Sequence, residues 1–276
     1  MIMLLDGRYV ESAQQLWERV FCEDEKSVRF YFEHIYPKSE MLVDTEDGKV
    51  VSMLTLLPLK IGSGETDAAA RCVYAVATHE DYRNEGRSTR LINYAHEYMK
   101  EKGVSAAVVT PAEKGLFAFY ERFGYERVFK VGYEEFRAEE NGDGLGGYTV
   151  LPCGVHKYFE LRKKAFGRGI FAEWGEDMLG EIMAYERLGG GEFYLLCGHG
   201  SEAAVHCERC GYELYVKEIA SCTMDTDLAA QILCRHFGCS MCRVRIGYGG
   251  KDFAMMKRFD GKNGGNGSAY FNLAME

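Results

Sequence analysis

The chain has 276 residues, 47% of them hydrophobic and 27% charged, a composition that excludes a disordered or fibrous polymer and gives enough length for two cores. Its formal net charge of −9 excludes the broad basic surface on which nucleic-acid binding rests and tilts the expected partner toward a cationic small molecule. No apolar run approaches the roughly eighteen residues of a membrane span, and the start MIMLLDGRYVES has neither a basic region nor a cleavage site, so a cytoplasmic protein with no membrane partner is expected.

Helical spacing opens the chain at Glu11 to Phe21, with Ala13, Leu16, Trp17 and Val20 on one face. A second helix is predicted from Glu23 to about Ile35. Asp24 is its N-cap, Val28, Tyr31, Phe32 and Ile35 form its stripe, and Pro37 lies past its end. The period then changes. MLVDTEDGKVVSMLTLLPLKIG reads as two strands around Glu46-Asp47-Gly48, and AARCVYAVAT as a third. Ser88 to Lys100 is helical again, with Leu91, Ala95, Tyr98 and Met99 inward. SAAVVTP is a short buried strand, LFAFYERFG a short helix closed by Gly124, and YERVFKVGYEEFRA the last strand or strand pair.

Residues 139–147 are polar and glycine-rich without an apolar stripe, which marks a linker between domains at 1–138 and 148–276. The second half repeats the order. Val155 to Phe166 and Trp174 to Tyr185 are helical, the latter with Trp174, Met178, Ile182 and Tyr185 in register. Three strands follow within EFYLLCGHGSEAAVHCERCGYELYVKEIA, then a helix from Asp227 to Phe237 and the strand CRVRIGY. FAMMKRF and AYFNLAM form a final pair. The recurrence predicts a tandem duplication of one α/β fold.

The stretch that carries chemistry is VATHEDYRNEGRST, residues 76–89. A strand ends, a loop with Arg and Gly follows, and an amphipathic helix begins, which leaves unpaired backbone N–H groups at a helix N-terminus. Such a terminus suits a pyrophosphate. Gly86 removes the Cβ from the line of approach, and Arg83, Arg87 and Arg90 add positive charge. Glu85 is an awkward neighbour for an anion, and its side chain is expected to point into solvent. Alone, R-x-x-G-x-S is also what an ordinary strand-to-helix turn shows.

In context the sequence resembles the GNAT superfamily of N-acetyltransferases. VYAVATHEDYRNEGRSTRLI is similar to that family's cofactor motif (Q/R)-x-x-G-x-(G/A), with Ser88 where Gly or Ala is usual. LFAFYERFGYE is similar to its second signature, a tyrosine-bearing helix before Phe-Gly-Tyr. The resemblance covers roughly residues 10–137 and implies a mixed, mostly antiparallel sheet flanked by helices, repeated in each half. It implies acetyl-CoA as acyl donor and transfer to a primary amine in a ternary complex; no metal is expected. Val76, Ala77 and Thr78 would offer backbone groups to the pantetheine arm, with the Val76 amide as oxyanion hole. Arg83, Asn84, Glu85, Gly86, Arg87, Ser88 and Thr89 would wrap the pyrophosphate. Tyr120 would be the general acid for the departing thiolate, whose conjugate acid has a pKa of about 8.5 by analogy with cysteine. Tyr120 also fits a plain core aromatic beside Phe119 and Phe123.

No base is assigned. His79, Glu80, Asp81, Glu33 and His34 read as surface residues. The Tyr-x-Arg-Phe-Gly-Tyr helix is most similar to the bacterial enhanced-intracellular-survival type, in which a C-terminal carboxylate serves; here that would be Glu276. The second half lacks the glycine loop and places Asp225 and Asp227 there, so it is expected not to bind CoA in the same way but to wall the acceptor pocket. Cys207-x-x-Cys210 and Cys239-x-x-Cys242 have the ligand types of a zinc site but a linking segment longer than usual, and buried thiols in a reduced protein are favoured. Transfer of another acyl or aminoacyl group, or a non-catalytic acyl-CoA sensor, are the other functions this sequence fits.

Overall fold

The computed structural model describes residues 1–62, 67–139, 145–261, 269–273 and 275, and the chain divides into two compact units. Unit 1 comprises Met1–Ile61, Ala68–Arg127 and Ala254–Gly264; unit 2 comprises Gly62–Asp67, Val128–Phe253 and Gly265–Glu276. Part of the predicted linker, 140–144, and Glu276 lie outside the described residues.

Unit 1 opens with β1 (Ile2–Leu4), a strand too short for alternation to announce, and α1 (Val10–Phe21). Ala13, Leu16 and Trp17 of α1 are buried at the spacing of one helical face, and Cys22 ends the helix in the left-handed region. The predicted helix over 23–35 is shorter. α2 spans Glu25–Phe30, its first turn capped by Asp24, and gives way to a π turn at Tyr31–Ile35 and a 3-10 turn at Tyr36–Lys38. The wider turn lets the adjacent Tyr31 and Phe32 both reach Trp17, at ring separations of 4.2 and 5.7 Å.

β2 (Glu40–Glu46), β3 (Lys49–Gly62) and β4 (Asp67–Thr78) follow, then α3 (Arg87–Glu101), β5 (Ala106–Val109) and α4 (Lys114–Glu121). The strands run in the order β1-β2-β3-β4-β5. The β1 and β2 pairings are antiparallel, and β4 with β5 is parallel. Leu54, Leu56, Val73 and Val109 of the sheet pack against Leu91, Ala95 and Met99 of α3 and Phe117 of α4. The far edge of β5 is closed by Met255–Arg258, a segment delivered from late in the chain.

Unit 2 takes β6 (Glu126–Arg137) from Val128 onward, then β7 (Thr149–Pro152), α5 (Val155–Phe166), β8 (Ile170–Glu173), α6 (Glu176–Leu188), β9 (Gly191–Gly198), β10 (Ser201–Cys210), β11 (Glu213–Ala220) and α7 (Thr226–Phe237). Its order β7-β9-β10-β11-β12, with β11 and β12 parallel, reproduces that of unit 1. Trp174 precedes α6 rather than joining its stripe, held by its indole N–H on the carbonyls of Asn272 and Leu273.

The strand predicted at CRVRIGY and the one at FAMMKRF are a single element, β12 (Met241–Arg258). Gly249 (φ 139°) lies so close to β6 that a Cβ there would meet the Gly132 Cα at 2.8 Å, and the chain runs on instead of turning. β13 (Ala269–Tyr270) pairs with β8. Among the described residues no helix is long and apolar enough to cross a membrane.

Unit 2 differs inside. Where α1 buries Ala13, Leu16 and Trp17, α5 buries Tyr158, Leu161 and Arg162. Arg162 donates to Glu218 on β11 through Nε at 2.8 Å, and the Tyr158 and Tyr270 hydroxyls donate to the same carboxylate at 2.6 and 2.9 Å.

Candidate acyl-donor site

The residues predicted to bind a donor lie on three consecutive pieces of unit 1. β4 pairs with β5 from Ala70 to Val73, opposite Ala106 to Val109; β5 then ends while β4 continues through Tyr74 to Thr78. Ala75 sits in the left-handed region (φ 51°), which costs a non-glycine residue about 1–2 kcal/mol. Strain of this kind, at the residue before Val76, breaks the regular pleat where the two parallel strands part. Beyond it the Ser52 hydroxyl donates to the Ala77 carbonyl at 2.8 Å and lies 2.8 Å from the Thr78 hydroxyl, fixing the strand end. Thr110, directly after β5, carries a buried hydroxyl with no partner among the described residues, and no sequence pattern marks it.

The loop that follows makes a 3-10 turn at Glu80–Tyr82, with the His79 ring accepting from the Asp81 amide at 3.3 Å. Glu80 is ion-paired with Arg19, whose hydrogen bond pulls its carboxyl down to about 2, so it makes a poor base at neutral pH. Arg83 Nε donates to the Thr78 carbonyl at 3.2 Å. Asn84 (φ 64°) and Gly86 (φ 72°) are both left-handed, and Gly86 is the N-cap of α3 with no side-chain cap. The first-turn amides of Arg87, Ser88 and Thr89 are therefore left to a ligand or water. A Cβ on Gly86 would find only Arg90 Nη1, 3.9 Å away. These are the properties a pyrophosphate cradle requires.

Unit 2 provides a contrast. The N-terminus of α7, which follows β11 as α3 follows β4, is closed by Asp225, whose carboxylate accepts from the Leu228 amide at 2.8 Å; Asp227 adds charge in the same turn. An anion would meet a filled cap.

The three arginines are not equivalent. Arg90 is exposed, whereas Arg87 is 8% exposed and turned back toward carboxylates. It donates to Asp44 at 3.1 Å and Glu85 at 3.0 Å, bonds Glu46, and lies 4.7 Å above the Tyr82 ring. Burial opposes its charge, but the hydrogen bonds to Glu46, Glu85 and Asp44 hold the guanidinium protonated above its ordinary range. Glu85, whose side chain is half-exposed, is thereby tied to the first residue of α3. Asp44 and Glu46 lie far from the motif in sequence, so spacing alone gives no sign of them.

Tyr120 lies on α4 in the same apolar cluster as Val73 and Val109, with partly buried Val76 packed against it. No hydrogen bond to its hydroxyl is made among the described residues. Burial first, and then the neighbouring Cys72, push its pKa up, so the phenol stays protonated. Behind it the Tyr125 ring stands 5.6 Å away, and His96 Nε2 lies 3.1 Å from the Tyr125 hydroxyl.

All ten cysteines are free. Cys207, Cys239 and Cys242 are buried in the core of unit 2 with Cys234, whereas Cys210 is exposed. Among the described residues no group of three or more His, Cys, Asp or Glu is placed to hold a metal.

A parallel strand pair that parts beside an open, glycine-led helix, in a mostly antiparallel sheet flanked by helices, defines the acyltransferase fold of the GNAT class. Residues 2–128 match the family model described as acetyltransferase (GNAT) domain. That segment belongs to the GNAT superfamily, and the chain as a whole has its tandem fold. Three solved structures resemble it in fold. A protein of Enterococcus faecalis V583 described as a probable N-acyltransferase is 13% identical, over 94% of this chain and 73% of that one, with TM-score 0.75. Eis1 of Mycobacterium abscessus is 10% identical over 94% and 74%, with TM-score 0.68. A tandem GNAT protein from the clavulanic acid biosynthesis pathway is 12% identical over 95% and 99%, with TM-score 0.54. No curated protein matches the sequence.

Proposed function

We propose that this chain is a cytoplasmic N-acetyltransferase that moves acetyl from acetyl-CoA to a primary amine on a small, cationic acceptor. The observation that carries this reading is the parting of β4 from β5 after Val73 and Val109, followed by left-handed Ala75 and the uncapped start of α3 at Gly86. Backbone groups of Val76, Ala77 and Thr78 would hold the pantetheine arm, with the Val76 amide donating to the thioester carbonyl. The backbone from Arg83 to Thr89 would take the pyrophosphate. Tyr120 would donate to the leaving sulfur. Its raised pKa keeps the proton on the phenol until charge develops on the sulfur, which burial in the same apolar cluster makes more basic too.

We place the working site within residues 1–138 and read 148–276 as a copy that has lost donor binding, on the strength of the closed α7 N-terminus. The acidic net charge of −9 supports a cationic acceptor. The test incubates the protein with acetyl-CoA and separate polyamines and aminoglycosides, and follows free CoA thiol. Thiol release that depends on one of these amines is expected. Tight acetyl-CoA binding with no release from any amine would replace the transferase reading with an acyl-CoA-binding module.

A further inference from the structure

A buried arginine at the first position of a helix is out of place electrostatically. The positive end of the helix dipole repels it, and leaving water costs it further. Arg87 occupies that position on α3. Its guanidinium faces three carboxylates and a tyrosine ring rather than the open face of the loop. Two of those carboxylates come from β2: Asp44, itself 4% exposed, and Glu46. The third, Glu85, belongs to the loop.

Glu85 is gripped twice. Arg87 Nε holds its carboxylate at 3.0 Å, and Arg90 Nη1 holds its backbone carbonyl at 2.9 Å. Both arginines come from the first turn of α3, and Glu85 lies between the two left-handed residues, Asn84 and Gly86, that give the loop its shape. Asn84 carries a steric cost in that region, and fixing the whole loop in one shape costs conformational entropy.

We propose that Arg87 is a positioning residue for the donor: its guanidinium anchors α3 to β2 and latches Glu85, holding the 83–86 loop in its anion-accepting shape before the donor arrives. The latch rests on the reading of this loop as the pyrophosphate site. It differs from a direct charge contact in a measurable way, because a charge contact and a latch respond oppositely when Glu85 is changed.

The experiment measures, by calorimetry on the full chain, the dissociation constants of acetyl-CoA and of acetyl-pantetheine, which lacks pyrophosphate and nucleotide. Glu85→Ala removes an anion beside the site, so through-space charge alone predicts tighter acetyl-CoA binding. The latch predicts weaker binding, by about tenfold, a loss of one hydrogen bond to a charged group. Arg87→Lys keeps the charge but cannot reproduce the forked contacts, and it should lose affinity for acetyl-CoA in the same direction. In both variants acetyl-pantetheine affinity should stay within about twofold of wild type, the limit expected when contacts to the truncated donor are intact. Glu85→Ala binding acetyl-CoA as well as or better than wild type overturns the latch. So does an equal loss for both donors, which would mean general damage to the unit. A wild-type protein that does not bind acetyl-CoA overturns the donor-site reading, and the latch with it.

Discussion

Replacing Gly86 with alanine separates the cradle from the fold around it. Gly86 sits at φ 72°, and an added methyl would face open space, with Arg90 Nη1 at 3.9 Å as its nearest protein neighbour. The left-handed conformation costs a non-glycine residue about 1–2 kcal/mol, while restricting the unfolded chain returns roughly 0.4–1 kcal/mol. The net loss is at most about 1.6 kcal/mol, which for a chain of this size lowers Tm by no more than roughly 6 °C. The methyl occupies the space proposed for the pyrophosphate, so the ligand effect should be larger. At a hundred times its dissociation constant a ligand stabilises by about 2.7 kcal/mol, or roughly 5–10 °C. A hundredfold loss of affinity in Gly86→Ala leaves about 0.4 kcal/mol at the same concentration, a shift of about 1 °C. Differential scanning fluorimetry with and without acetyl-CoA reads both quantities. An alanine variant that keeps the wild-type ligand shift would show that the donor does not approach this backbone.

Three further outcomes follow from named contacts. Tyr120→Phe should lower kcat by about a hundredfold in the thiol-release assay while leaving the acetyl-CoA melting shift in place, since no described residue hydrogen-bonds its hydroxyl; an unchanged kcat removes the acid role. His96 is pushed down to about 4 by burial and by Lys257 and Lys100, so the folded state resists a proton that the unfolded state accepts. Stability should therefore be complete above pH 6.5 and fall by up to roughly 3 kcal/mol as pH drops to 4, a slope that His96→Gln should lack in urea titrations. Arg162→Met strands the Glu218 carboxylate and should cost about 3–5 kcal/mol in denaturant unfolding, whereas adding Glu218→Met should recover only part of the loss, because the Tyr158 and Tyr270 hydroxyls then lose their acceptor.

The elements whose patterns are local were legible in the sequence. The bounds of α5 coincide with its apolar stripe, and β4, α3 and α4 fall where alternation, the glycine loop and Gly124 put them. Strands of three or four residues, such as β1 and β7, carry too few alternations to register. CRVRIGY and FAMMKRF look like two strands in sequence, yet they form the single β12, in which Gly249 lies against Gly132. Within the candidate site, the glycine loop and the tyrosine-bearing helix are visible as sequence patterns. Sequence alone could not give the left-handed Ala75, which no residue type announces. Nor could it give the carboxylates around Arg87, which β2 supplies only after the sheet has formed.

The closing of β5 by Met255–Arg258 bears on how the protein is made. Every proposed site residue has been translated by Tyr120, yet the sheet that supports them lacks a strand until Met255–Arg258 emerges. At 5–20 residues per second the nascent first unit keeps an open β edge for roughly 7–27 s, a period in which ribosome-associated chaperones have a surface to protect. A nonsense mutation anywhere between codons 140 and 253 would spare every residue of the proposed site and still deny the first unit its last strand.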